Sequence, residues 1–180
     1  MSNVKESVFN LGLPESLWYY LAMNVSSPKL YQKLIQCSPY FYQKNPCLLL
    51  HCLNHSDGKW YTCSNSGEKS CMKMDGEICE DLKPIDLMAI SDNIWVTNAF
   101  EVNGLYGDNI TPLIIPQMFK SNVVCFNASF KTISLDQLAL IGTSVKYCDF
   151  CDVTVKKNDE SEASLPEIIK CFPVLEDFKL

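Results

Sequence analysis

The chain has 180 residues, 47% of them hydrophobic and 20% charged, with a formal net charge of −6. That composition suits one domain or two small lobes with ample apolar material for a core. The acidic balance excludes the cationic face that nucleic acid or an acidic membrane surface requires, and because all 15 basic residues are Lys, the side chain best suited to bidentate guanine and phosphate contacts is missing altogether.

The first residues, Met1 to Glu6, are polar and charged, with no apolar core of a signal peptide. No apolar run approaches the ~18 residues of a membrane span. The expectation is a cytoplasmic or nuclear protein whose ten Cys are free thiols, the alternative being a small secreted, disulfide-containing effector. Asn-x-Ser/Thr triplets at Asn24, Asn54, Asn109 and Asn127 are read as unglycosylated.

Leu13-Pro14-Glu15 opens the first predicted helix. Proline is tolerated at the first helical position, and Glu favours the positive end of the helix dipole. Leu17, Tyr20 and Leu21 follow at helical spacing. Ser27-Pro28 is a second start signal, leading to a stripe of Leu30, Leu34, Cys37 and Phe41. Pro39 interrupts that stripe, so the second helix is expected to end near Cys37 and a short third turn to begin at Ser38-Pro39.

Cys47 to Leu53 is a short apolar run that reads as a buried strand, and Asp57-Gly58 is a strong hairpin signal with Trp60 to Cys63 as the return strand. Ser64 to Gly76 reads as a polar loop, and Pro84 limits any helix in the stretch from Glu77 to Ser91. His51, Cys52, His55 and Cys63 are close in sequence, but a structural zinc site wants two regularly spaced ligand pairs. They are read as core and turn residues.

The second half alternates short apolar segments with helix starts. Ile94 to Asn98, Val123 to Asn127, Tyr147 to Cys151 and Glu176 to Leu180 begin 29, 24 and 29 positions apart (123−94, 147−123, 176−147). Helix starts are expected at Thr111-Pro112, with Leu113 to Ile115 before Pro116 and Met118 and Phe119 beyond, at Ser134, and at Ser164. After Ser134, Leu135, Leu138, Ile141 and Val145 form one buried face. After Ser164, Leu165, Ile168, Ile169 and Phe172 point inward. Such units stack because none can bury its apolar face alone. Right-handed crossovers would lay the strands parallel, with Asn98, Asn127, Asp149 and Lys179 as the polar side chains offered to a protein partner. Cys148 and Cys151 are the one Cys-x-x-Cys, but in a strand residues three apart point to opposite faces, so the pair is structural. The last strand is expected to be a sheet edge, either covered by something else or left by a shortened chain.

Catalytic signatures are missing. The two His are not near a nucleophile motif, and there is no Gly-x-Ser-x-Gly, phosphate loop or His-Glu-x-x-His. No enzyme activity, metal or cofactor is expected.

Leu13 to Leu21, then Leu30 to Cys37 and Tyr40-Phe41, resemble the F-box, a three-helix module that opens with Leu-Pro. Together with the strand–helix half, the layout is similar to the nematode F-box-like protein family, in which a degenerate F-box precedes leucine-rich-repeat-like units. The resemblance implies an α/β chain with three parts. Residues 9–46 would be an F-box-like helical cluster, 47–92 a hairpin and connecting segment, and 93–180 a lobe of short parallel strand–helix repeats. It also implies docking onto a Skp-type adaptor of a cullin ubiquitin ligase through Leu13, Pro14, Leu17, Leu21, Leu30 and Leu34. The repeats would then hold a protein for ubiquitylation.

Overall fold

Serine and proline set the ends of the first helices, much as the start signals suggest. The computed structural model describes residues 14–63, 82–104 and 118–180. The chain divides into two units, Met1–Cys47 and Leu48–Leu180. No helix among the described residues is long and apolar enough to cross a membrane.

In the first unit α1 spans Glu15–Met23, α2 Pro28–Cys37 and α3 Pro39–Lys44. Pro14 is the residue before α1 rather than its first helical residue. Ser27 caps α2 through its hydroxyl, and Ser38 both ends α2 and caps α3. Pro39 therefore starts a helix instead of breaking one, at the position where its missing N–H costs nothing. A buried polar knot holds the three helices. The Asn45 amide donates to the Ala22 carbonyl at 3.0 Å, the Tyr31 hydroxyl donates to the Asn45 carbonyl at 2.9 Å, and the Cys47 N–H donates to that hydroxyl at 3.0 Å. Trp18, Tyr40 and Phe41 pack beside it, with Trp18 and Phe41 ring centres 5.4 Å apart.

The second unit is mixed α/β. Its described strands are β1 (Cys47–Ser56), β2 (Lys59–Cys63), β3 (Leu82–Ile85), β4 (Asn93–Asn103), β5 (Met118–Ser121), β6 (Cys125–Ser129), β7 (Thr132–Ser134), β8 (Tyr147–Cys151), β9 (Thr154–Lys156) and β10 (Asp177–Lys179). Helix α4 covers Leu135–Gly142 and α5 Leu165–Lys170. The main sheet runs β10-β8-β6-β4-β1-β2-β3, with β5 also on β4, while β7 and β9 form a separate parallel pair. Strands β4, β6, β8 and β10 are parallel neighbours. The hairpin β1–β2 turns at Asp57 and Gly58, both at positive φ, as an Asp-Gly turn requires.

Three expectations change. Within 47–92, β1 and β2 form the expected hairpin, and with β3 they extend the same sheet that β4, β5, β6, β8 and β10 build. Pro84 sits in β3, the edge strand, where a missing donor does no harm. Met118, expected beyond the helix that Pro116 shortens, begins a strand on β4, while the helix start at Thr111-Pro112 lies outside the described residues.

The core follows from strand alternation. Phe100, Phe126, Cys148 and Phe178 are register partners on four successive strands, and Val102, Ala128 and Phe150 are the next row. Aromatic rings run along this face without a break: Trp60–Phe100 at 6.4 Å, Phe100–Phe126 at 5.5 Å, Phe126–Phe150 at 5.6 Å and Phe150–Phe178 at 5.6 Å. Leu138, Ile141 and Val145 from α4 and the turn after it close over it.

Candidate functional site

The opposite face of the parallel strands carries the polar residues, again by alternation. Ala99, Cys125, Tyr147 and Asp177 are register partners in one row. Glu101, Asn127, Asp149 and Lys179 form the next, and Asn103, Ser129 and Cys151 the one after. Side chains in a row stand about 4.7–4.9 Å from their neighbours, close enough for an extended polypeptide to touch several at once.

Glu101 anchors the middle row. Its carboxylate accepts from the Asn54 amide on β1 at 2.5 Å and from the Asn103 amide at 2.6 Å. These two amides hold the acid in one orientation. Exposure grows from there toward β10: Glu101 and Asn127 are half-buried, Asp149 and Lys179 exposed. On the other side of Glu101 the face turns apolar, where Cys52, Cys63 and Ala99 are buried against Leu82 and Cys125. The Cys63 N–H donates to the Cys52 sulfur at 3.0 Å, and burial pushes the Cys125 thiol pKa up. All eight described cysteines carry free thiols.

A second polar cluster borders this face near the sheet edge. Glu176 accepts from the Lys146 ammonium at 2.6 Å and from the Tyr147 hydroxyl at 3.0 Å. The hydrogen bonds from Lys146 and then Tyr147 hold the Glu176 carboxyl below the ordinary glutamate range, and the same contacts raise Lys146 and Tyr147.

Of the four residues expected on this surface, Asn127, Asp149 and Lys179 occupy one row. Asn98 does not join them. It precedes Ala99 by one residue and so shares the phase of Phe100 and Val102 on the core side, where its amide nitrogen is buried without a hydrogen-bond partner. Glu101 takes the place expected for Asn98. Its signal was the alternation Ala99-Phe100-Glu101-Val102-Asn103, which continues past the point where the segment had been ended.

The residues expected to face an adaptor belong to the helical unit. Leu13 lies outside the described residues. Pro14, Leu17, Leu21 and Leu30 are exposed and Leu34 is half-buried. With Tyr19, Tyr20 and Met23 also exposed, α1 shows more apolar surface than scattered single residues would.

The residues weighed as metal ligands are separated by the sheet. His51 and His55 share one phase of β1 and Cys52 the other. His55 is bonded to the Asn103 carbonyl at 3.0 Å and lies against Trp60. No group of three or more His, Cys, Asp or Glu among the described residues could hold a metal ion. Cys148 is buried, and its thiol is raised well above the ordinary range by that burial, while Cys151 is exposed on the other face.

No protein-family model matches this chain, and no curated protein or solved structure shows significant similarity to it.

Proposed function

We propose that this chain is a non-catalytic protein-interaction module in which the outer face of β4, β6, β8 and β10 grips a polypeptide. The observation that carries this reading is the row Glu101, Asn127, Asp149 and Lys179. It places charged and amide side chains in register across four parallel strands, on a surface that opens toward solvent. A partner segment would lie across the strands and offer donors to Glu101 and Asp149 and an acceptor to Lys179. The strand–helix units then act as leucine-rich-repeat-like elements that set the spacing of the row.

The same proposal gives residues 9–46 the role of an F-box-like dock for a Skp-type adaptor of a cullin ubiquitin ligase. The three helices and the exposed Leu17, Leu21 and Leu30 support it, since an apolar helical surface of this kind marks a protein contact.

Co-purification with a Skp-type adaptor, followed by mass spectrometry of what the pair retains, tests both halves. Leu17→Asp is expected to abolish adaptor capture and leave the retained substrate bound to the free chain. Asp149→Lys is expected to do the reverse. Failure of the adaptor to bind, with substrate capture intact, reduces the chain to a plain binding protein without ligase association. Retention of the same partners by Asp149→Lys removes the outer face from the account.

A further inference from the structure

The last strand has one partner among the described residues. β10 pairs with β8 on one side, and no described strand pairs with its other edge. The Asp177 N–H donates to the Lys146 carbonyl on the β8 side at 3.0 Å. Because successive residues of a strand direct their backbone groups to opposite edges, the N–H and C=O of Phe178 point to that other edge. The chain on either side of it is apolar and uncovered: Val174 in the turn before β10 and Leu180 just after it are 47% and 78% exposed.

We propose that this edge is the self-association surface of the protein, and that its occupant is β10 of a second copy, paired antiparallel about a two-fold axis at Phe178. The register is self-complementary. With Phe178 opposite its own symmetry mate, the two residues exchange both backbone N–H···O bonds. Asp177 of each copy then lies opposite Lys179 of the other, twice, on the outer face, where such directly opposed pairs approach most closely. Slipping the register by one residue in either direction sets Phe178 opposite a charged residue and sends its ring to the wrong face. On the core side the two Phe178 rings continue the aromatic run that already joins Phe100, Phe126 and Phe150. A two-fold interface of this type closes on itself and makes a dimer, not a filament.

The experiment is sedimentation velocity of the full chain over a wide concentration range, with two charge reversals and their combination. Wild type is expected to show a monomer–dimer equilibrium. Asp177→Lys places Lys opposite Lys179 at two symmetry-related contacts, and Lys179→Asp places Asp opposite Asp177. Each is expected to weaken dimerisation about tenfold or more. The double variant Asp177→Lys/Lys179→Asp restores opposite charges and is expected to recover the wild-type dimer. Both positions are exposed, so circular dichroism should show all variants folded. A wild type that stays monomeric at every concentration overturns the proposal, and means that Asp177 and Lys179 guard the edge instead. A dimer indifferent to the single reversals, or one that the double variant fails to restore, overturns it as well.

Discussion

Two neighbouring stretches of the sheet lobe have the same order of parts but bury different amounts. β6, β7 and α4 are followed at an offset of 22 by β8 and β9 (147−125 and 154−132). The left-handed residue between the strands, Phe130 in one and Asp152 in the other, keeps that offset too (152−130). The helices lie 30 apart (165−135), because the loop after β9 first folds back on itself through the bridge between Lys156 and Glu162. Yet α4 buries Leu138, Ile141 and Gly142, whereas α5 buries no residue fully. Leu165 and Ile169, expected inward, are exposed. Periodicity places an apolar face but cannot supply what covers it. α4 has the following unit against it, and α5 has no such neighbour among the described residues.

The largest effect should come from unequal truncation of the two helices. Leu138→Ala removes a fully buried side chain and should cost about 2–5 kcal/mol, whereas Leu165→Ala should stay within about 0.5 kcal/mol. Denaturant unfolding of both variants measures the contrast, and equal losses would mean that α5 is covered in solution. Next comes Gly142, which lies where a Cβ would collide with the Cys171 carbonyl oxygen and the Phe172 ring. Gly142→Ala should destabilise by about 1–3 kcal/mol despite the better helix propensity of Ala, because the nearest obstacle is backbone. A neutral result would show that the two units slide apart easily.

The helix caps sharpen the comparison at a smaller scale. Ser134 and Gln137 form a reciprocal box, with the Gln137 N–H donating to the Ser134 hydroxyl at 3.2 Å and the Ser134 N–H to the Gln137 side chain at 3.1 Å. In α5 Ser164 and Glu167 form a box of the same kind, with the Glu167 carboxylate taking both the N–H and the hydroxyl of Ser164, at 2.8 and 2.7 Å. Ser134→Ala and Ser164→Ala should therefore each cost about 0.5–2 kcal/mol, although α4 is covered and α5 is not, as thermal melts of the pair will show.

The smallest effect concerns pH. Glu176 is held below its ordinary pKa by Lys146 and then Tyr147, so more protons bind to the unfolded chain than to the folded one across that interval. Its stabilising contribution is complete above the unfolded glutamate pKa and fades as pH falls through the lowered folded value. The pair is about half exposed, so the contribution is small. Glu176→Gln should flatten the acid limb of the stability curve slightly and leave neutral pH almost unchanged. An unaltered acid limb would show that the Lys146 contact does not persist in solution.

Much of the secondary structure was legible locally. Ser27-Pro28 and Ser38-Pro39 start helices, Asp57-Gly58 makes the hairpin, and Tyr147 to Cys151 is the strand expected, with Cys148 inside and Cys151 outside. Each rests on chemistry within a few residues: a hydroxyl that caps, a ring that lacks an N–H, a turn that wants positive φ, an alternation of side chains. The three-residue strands β7 and β9 were not legible, since so short a run shows no period and only the partner strand defines it. Nor was the placement of Asn98, which looked like the polar end of a strand but lies in phase with Phe100.

By itself, then, the amino-acid order determined where most helices begin, which segments are extended and which side chains alternate along them, because those preferences act through neighbours in the chain. Tertiary structure alone decided that β1, β2 and β3 join the same sheet, that Glu101 stands beside Asn127 and Asp149, and that α4 is covered while α5 is not. Those outcomes depend on register between strands many residues apart. Register is set by the summed packing of all the core rows, of which no single segment contains more than one strand's share.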